Sequence, residues 1–570
     1  MGTPDTASES NSTNFYYGVP RSTLRGLSKR QHALLRAVLQ ERRSVFLTGP
    51  AGSGKTFIVQ LLIKLLERKY GAARVGKTSS TGVSASMIHG STIHSFMRMG
   101  LARDPVDKVV ARMTKDIERR LAALRVLIID EISMLDGHAL DIVDALLRSA
   151  RGSMEPFGGV PLIVVGDFLQ LPPVPHKHPV TGETLPWKFA FQSTAWDMAN
   201  FKCIELVANF RQKDRAFLRL LDWMRGGLLP PETEAILKGT RRLVPAEADG
   251  IEPTCLYCRN VTVHALNRER LAALDAPEVV IPGTLVLPSS RNRDKLVELP
   301  RGLKWAERSR KPQMEKDTGM KLVLNSRVDV DRSSPSLDLV LKEGAQVMLT
   351  VNETTGYQLT PDQVLVNGSR GIVTSILPPQ TEDGIPDVYV RFEQPHDGAT
   401  RVVRVKPYVW TTEVGPTALA AYKQLPLVLA YAISVHKSQG MTISKLKINL
   451  QGCFSPGQAY VAFSRATDRR NLEVEYFDPA CVKVNPVVLE WYTRTFPKST
   501  IARRLKKQQQ QGFQHGVETS GEVKPSGTEA VFQQQQDARY SAFQQFHAKH
   551  AHSETWHDGA SAFRKRQRIQ

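Results

Sequence analysis

The sequence predicts an α/β protein whose core is made of parallel-sheet layers, and three observations carry that prediction. Short apolar runs alternate with helix-prone stretches in two successive blocks, roughly 27–205 and 206–490, the pattern left by parallel strands and their crossover helices. In the first block the run Val45-Phe46-Leu47 leads into GPAGSGKT at 49–56 and then into a helix-prone segment from Phe57 to Leu66. Farther on, the apolar strand LRVLIIDEI at 124–132 ends in Asp130-Glu131, and acids at the carboxyl ends of parallel strands face the ligand crevice of such sheets.

GPAGSGKT matches the phosphate-loop pattern GxxxxGK[ST], and a strand before it with a helix after it is the context that confirms the pattern. Gly49, Gly52 and Gly54 allow the positive φ values and close backbone approach that a nest of N–H groups needs around a phosphate. Pro50, Ala51 and Ser53 complete the loop, Lys55 adds a point charge at the β/γ-phosphates, and the Thr56 hydroxyl is placed to ligate Mg2+. All four fixed positions and both flanks agree, which a chance glycine turn would not achieve. The expected ligands are therefore a nucleoside triphosphate and Mg2+. Asp130 would hold the metal, directly or through water, and Glu131 would polarise the attacking water. A third strand, Pro161–Val165, runs into GDFLQLPP at 166–173, where Gln170 has the chemistry to bond both a γ-phosphate and a water.

Other stretches divide the chain. A charged, helix-periodic segment at about 98–124 interrupts the first block like an insertion. Cys255 and Cys258 form one CxxC in the strand-like stretch Thr254–Thr262, with no second pair or clustered histidines beside it, and read as ordinary strand cysteines. Residues 270–335 mix Pro, Lys, Arg and Asp without period and read as loop-rich. From 353 to 424 short β-type runs such as Gly371-Ile372-Val373 and Asp387–Phe392 suggest a small inserted β-barrel. After 498 the chain turns Gln-, His- and charge-rich, too poor in apolar area to offset its ordering entropy, and reads as disordered. Arg564-Lys565-Arg566-Gln567-Arg568 near its end fits a nuclear import signal, a phosphate-binding tail or a solvated basic end.

A chain of 570 residues has room for several cores. Its formal charge of +20 points to a polyanionic partner, nucleic acid ahead of an acidic membrane. No apolar run reaches membrane-spanning length. Five cysteines argue for a reducing compartment without a disulfide scaffold. The first 26 residues carry Asp5 and Glu9 and lack a secretory apolar core, while Arg21 and Arg25 leave a mitochondrial address open. A nuclear location is expected, with the mitochondrion as alternative.

The order of motifs adds a resemblance. LSKRQ at 27–31, GPAGSGKT at 49–56, SSTGVSASMIHGSTIHSF at 79–96, IIDEISML at 128–135 and GDFLQLPPV at 166–174 are followed by NFRQ at 209–212, LVNGSRGIV at 365–373, YAISVHKSQGMTI at 431–443 and GQAYVAFSRA at 457–466. Over about residues 25–490 this resembles the Pif-type (petite integration frequency) DNA helicases of superfamily one, in the branch that moves 5′ to 3′. The stretch 141–159 looks like the segment that separates them from RecD-like relatives. Phe463 stands where the family usually has leucine.

The resemblance implies two RecA-like parallel-sheet domains. The first spans 25–205, with a wedge at about 98–124. The second spans 206–352 and 425–497 around an SH3-like β-barrel at 353–424. A flexible segment, 1–24, precedes them and a basic tail, 498–570, follows. Gln31 resembles the adenine-reading glutamine, and Arg211 and Arg465 resemble the two arginines that reach the γ-phosphate across the cleft, where planar guanidinium groups stabilise a loose phosphoryl-transfer transition state. Thr81, Gly82, His94, His436, Lys437, Ser438, Gln439 and Thr442, with Gln458 and Tyr460, resemble the set that lines a single-strand channel. Phe96 is a nearby ring for base stacking. The implied partners are single-stranded DNA and duplex junctions, met by a monomer with further protein partners at the C-terminal tail and no membrane. The resemblance makes the nucleotide cofactor ATP, and the implied activity is an ATP-dependent DNA helicase in genome maintenance. Two rivals stand beside it, an ATPase that strips proteins or works on RNA, and a nucleotide-gated scaffold.

Overall fold

The computed structural model describes residues 25–514 apart from position 101 and the segments 176–186, 241–249, 289–295, 299–337, 352–364, 366–367, 380–384, 394–399 and 414–418. The expected flexible segment 1–24, the basic run at 564–568 and most of the tail lie outside the described residues. Residues up to 503 form one compact unit, and residues 504–570 a second, of which only the end of helix Thr500–Gln514 is described. That helix corrects the reading of disorder for residues 500–514. Ala, Arg, Leu, Lys and Gln are strong helix formers, and a disorder argument built on low apolar content passes over them.

The first sheet has six parallel strands: β1 Val45–Thr48, β2 Val75–Ser79, β3 Ser91–Thr92, β4 Val126–Asp130, β5 Leu162–Val165 and β6 Lys202–Glu205, in the order β3-β2-β4-β5-β1-β6. Every residue of β1, β4 and β5 is buried, because helices cover both faces, so these strands read as unbroken apolar runs. Helix α1, Lys29–Leu39, begins at a capping box between Ser28 and Gln31. Helix α2, Lys55–Tyr70, starts at Gly54 and stops at Gly71. Leu34, Leu35 and Val38 of α1 and Ile58, Leu62 and Leu66 of α2 pack with β1 and β4 into one core.

In the sheet β5 runs between β4 and β1, with Ile163 in register with both Ile128 and Val45, and the acid pair after β4 lies within electrostatic range of Lys55 of the phosphate loop. The segment 166–170 therefore sits in the middle of the site. Helices Val106–Ala111 and Lys115–Ala123 occupy the charged insertion and pack on helix Gly137–Arg151.

The second parallel sheet has four strands, in the order Ala432–Ser434, Thr254–Tyr257, Leu446–Asn449, Leu472–Tyr476. Its central strand ends at Tyr257 and helix Asn260–Ala272 follows, so the strand-like reading of 254–262 holds only for its first half. Helix α3, Arg215–Arg225, and helix α4, Gln458–Ser464, pack with this sheet into a second core that also takes in Ala51 and Leu171 from the first block.

The expected barrel at 353–424 is antiparallel sheet, with limits wider than the composition suggested. A five-stranded sheet joins Thr400–Val405, Asp387–Glu393 and Arg370–Leu377 to Gln346–Leu349 and Leu427–Leu429 from either side. A four-stranded sheet pairs Leu419–Gln424 with Thr284–Pro288, inside the stretch read as loop-rich. These partners are far apart in the chain, and no local pattern announces them.

Finally, helix α5, Pro486–Thr495, returns to the first sheet. Trp491 stacks on Phe191 with ring centroids 4.4 Å apart and meets Phe46, Phe168 and Trp196 in one aromatic cluster.

Candidate nucleotide site and nucleic-acid interface

The phosphate loop is gripped from the second domain. Lys55 Nζ donates to the carbonyls of Gly49 and Pro50 at 2.8 and 3.1 Å. Burial pulls its pKa down, while Asp167, Glu131 and Asp130 oppose that pull. Ser53 is buried and its hydroxyl has no hydrogen-bond partner among the described residues. An orphaned hydroxyl, a half-buried ammonium and a loop of positive-φ glycines form a cradle that fits phosphate oxygens. The Ala51 N–H donates to the Tyr460 hydroxyl at 2.9 Å, and Asn209 Nδ2 donates to the Ala51 carbonyl at 3.0 Å. Gly52, at φ +78°, has no room for a side chain, since a Cβ there would lie 2.7 Å from Arg211 Cβ.

Gln31, expected on the adenine side, is already engaged. Gln31 Oε1 accepts the Ser28 N–H at 2.8 Å, while Nε2 lies on the Gly54 side of the loop. Phe210, 65% exposed, covers the same glycine. Sequence reasoning missed Asn209 and Phe210, although both stand in the NFRQ string.

At the end of β4, burial and the neighbouring Glu131 raise the Asp130 carboxyl to about 7. A buried acid short of positive charge is a site that a divalent cation would complete, and the half-buried Thr56 supplies the hydroxyl. Glu131 takes a left-handed backbone conformation, φ 50°, and accepts a hydrogen bond from Gln439 Nε2 at 3.0 Å. Gln170 Nε2 donates to Asp167 Oδ2 at 3.3 Å. The Gln170 carbonyl faces Gly457 so closely that a Cβ there would come within 2.4 Å.

Both arginines reach this region. Arg211 Nη1 donates to the Ser464 carbonyl at 2.9 Å; burial and the nearby Arg465 bring its pKa down to about 9. Arg465 donates to the carbonyls of Val461, Ser438 and Met441 and to the Ser464 hydroxyl. Burial brings it down to about 10, against the pull of Glu131. Its guanidinium thus braces the second domain.

Of the expected channel residues, the structure brings two strings together. Gly440, after HKSQ, faces Ser84 and Met87 of helix Gly82–Met87, whose start is held by Thr81 Oγ1 accepting the Ser84 N–H. Lys437 and Thr442 are exposed, and Gly82 and His94 are half-buried. His436 stacks on Phe454, a ring 60% exposed, and burial lowers its pKa. Four expectations are corrected. Gln439 is buried, with its amide on Glu131. Ser438 is buried, its hydroxyl donating to the Val435 carbonyl. Gln458 is buried, and its Oε1 accepts from Phe454 N and Ser455 N. Tyr460 is buried on the phosphate loop. The helix that carries the last two is buried at all seven positions, so it offers no surface to a strand. Phe96 is half-buried, with the Arg120 guanidinium over its ring at 4.5 Å.

Fold and site together define a two-sheet protein of the phosphate-loop class, with its candidate nucleotide cleft between the sheets. The profile of the PIF1-like helicase family matches residues 26–220. The ATP-dependent DNA helicase PIF1 of Danio rerio is 37% identical over 471 residues, covering 82% of this chain and 64% of that protein. The crystal structure of Pif1 helicase from Candida albicans aligns at 33% identity and TM-score 0.63, over 82% of this chain and 99% of that one. The Pif1 helicase from Bacteroides in complex with ADP-AlF3 and ssDNA aligns at 25% identity and TM-score 0.56, over 83% of this chain and 98% of that one. The chain belongs to the PIF1-like helicase family. It spans just under two thirds of the length of curated relatives such as the Danio rerio protein.

Proposed function

We propose that the chain is an ATP- and Mg2+-dependent DNA helicase that moves 5′ to 3′ on single-stranded DNA and opens duplex junctions in genome maintenance. The observation that carries this reading is the convergence on one cleft of the phosphate loop, Glu131 and three groups of the second block: Arg211 against Gly52, Tyr460 on the Ala51 N–H and Gln439 on Glu131. In such a cleft hydrolysis depends on how the two sheets meet. The ADP-AlF3 and ssDNA complex of the Bacteroides relative supports both ligands.

Ser53, Lys55 and the loop N–H groups would hold the phosphates, and Thr56 and Asp130 the metal. A bound Mg2+ would neutralise phosphate charge. Glu131 accepts a proton from the attacking water, Gln170 orients the γ-phosphate side, and Arg211 supplies a guanidinium to the developing charge. Thr81, Gly82, His94, His436, Lys437 and Thr442 line the strand path, where contacts to phosphate carry no sequence information.

ATP turnover with and without single-stranded DNA, beside unwinding of 5′-tailed and 3′-tailed duplexes, tests the reading. DNA-stimulated turnover lost in Lys55→Ala, with unwinding from the 5′ tail only, is expected. Stimulation without unwinding would favour the protein-stripping motor, and DNA-stimulated turnover that survives Lys55→Ala would overturn the site. Nuclear residence is proposed on the net charge of +20 and the basic run at 564–568. Imaging the tagged chain with and without that run decides between nucleus and mitochondrion.

A further inference from the structure

Behind the reacting groups a buried ionic chain joins the two sheets, and none of its side chains stood out in the sequence. Asp167 is fully buried. Arg225 Nε donates to its Oδ2 at 2.8 Å and Arg225 Nη2 to its Oδ1 at 2.9 Å. The same Oδ2 accepts the Gln170 amide, and Oδ1 also accepts the Leu169 N–H at 3.3 Å. Arg225 is the last residue of α3, whose Phe217, Leu220, Leu221 and Met224 belong to the core of the second domain. Its Nη2 further donates to the Tyr492 hydroxyl at 3.1 Å, with the Tyr492 ring 5.0 Å from the guanidinium carbon. Tyr492 in turn donates to Glu205 at the end of β6, and Arg30, beside Gln31, pairs with Glu205 at 3.6 Å.

A guanidinium that meets both oxygens fixes the plane of a carboxylate as well as its position. With that plane fixed, Oδ2 has one direction left for the Gln170 amide. Burial alone would raise the Asp167 carboxyl, but Arg225 holds it below its ordinary value. Without Arg225, Asp167 would be an uncompensated buried anion within electrostatic range of Lys55.

We infer that Arg225 is a positioning residue for ATP hydrolysis: through Asp167 it aims the Gln170 amide, and so ties the γ-phosphate side of the site to helix α3 of the second domain. The inference rests on Gln170 serving as the γ-phosphate group.

The test uses the full chain with Arg225→Met, Arg225→Lys, Gln170→Ala and the double variant Arg225→Met/Gln170→Ala. Turnover at saturating single-stranded DNA, nucleotide KM and DNA affinity are read for each. Arg225→Met is expected to lower kcat about tenfold, with KM and DNA affinity within about threefold. Arg225→Lys should recover only part of this, since one ammonium cannot set the carboxylate plane. Gln170→Ala should cost little more in the Arg225→Met background, the non-additivity of groups acting as one unit. An unchanged kcat in Arg225→Met overturns the inference, as does a Gln170→Ala loss of equal factor in both backgrounds. Normal turnover in Gln170→Ala alone would remove the γ-phosphate role of Gln170, and the inference with it. If Arg225→Met does not fold, Tyr492→Phe keeps the ring and removes the hydroxyl that joins Arg225 to Glu205. The same non-additivity is then expected on a scale of about threefold, and additivity overturns the inference.

Discussion

Gln439 of the HKSQG segment donates its side-chain amide to the carboxylate of Glu131 at 3.0 Å, a hydrogen bond between the two sheets. Its own Oε1 is buried without a partner among the described residues. Lys437 and Thr442, exposed residues of the proposed strand path, lie two and three residues away on either side. Gln439→Ala is expected to lower DNA-stimulated turnover about tenfold through Glu131, with DNA affinity changed less than about threefold. Fluorescence anisotropy beside turnover separates the two. A loss of affinity as large as the loss of rate would return Gln439 to the strand path.

Tyr460 makes the opposite assignment for its motif. Tyr460→Phe leaves the buried Ala51 N–H without its acceptor, a loss on the order of 1–3 kcal/mol in such settings. Nucleotide KM should rise roughly three- to tenfold while DNA affinity stays put. A DNA effect without a KM effect would contradict the structure's placement of the ring.

Gly52 stands at φ +78° with Arg211 Cβ in the place of a side chain. Gly52→Ala must therefore push the 209–212 segment off the loop. Expected is a stability loss of about 1–3 kcal/mol, with nucleotide affinity reduced, measured by thermal denaturation and nucleotide titration. Unchanged values for both would mean that the loop yields easily.

Asp130 sets a trade between fold and site. Burial, with Glu131 beside it, raises this carboxyl from 3.8 to about 7, so ionising it costs folded-state stability. That cost is absent below about pH 4, grows up to pH 7 and is full above it. Asp130→Asn should raise Tm at pH 8, give no gain at pH 4, and abolish metal-supported turnover. An equal gain at both pH values would show that the effect is not the ionisation of Asp130.

Much of this site was legible because its strings are local. The glycine loop, the acids after an apolar strand and Gln170 each announce themselves within a dozen residues, and the alternation of strands and helices announces the sheets. The rest depends on pairing across the chain. Ala51 and its acceptor Tyr460 are 409 positions apart, and Tyr460 sits in a string that reads equally well as a DNA contact. Arg225 is one of 76 Lys and Arg residues, at the end of an ordinary amphipathic helix, and nothing around it says that Asp167 waits opposite. The strands at 279–288 are hidden for the same reason, since Val279–Pro282 pairs with Asp338–Leu341 and Thr284–Pro288, besides its neighbour Leu296–Glu298, pairs with Leu419–Gln424.

The return of Trp491 to the first sheet also bears on how the chain is made. Phe46, Phe168, Phe191 and Trp196 are all synthesised early, yet the ring that stacks on Phe191 leaves the ribosome some 300 residues later. At roughly 5–20 residues per second that is a wait on the order of tens of seconds. During that interval the nascent first domain carries an unsealed aromatic pocket, a natural landing place for a chaperone. A message truncated before codon 491 would release a protein with every nucleotide-binding string of the first block in place and that pocket still open.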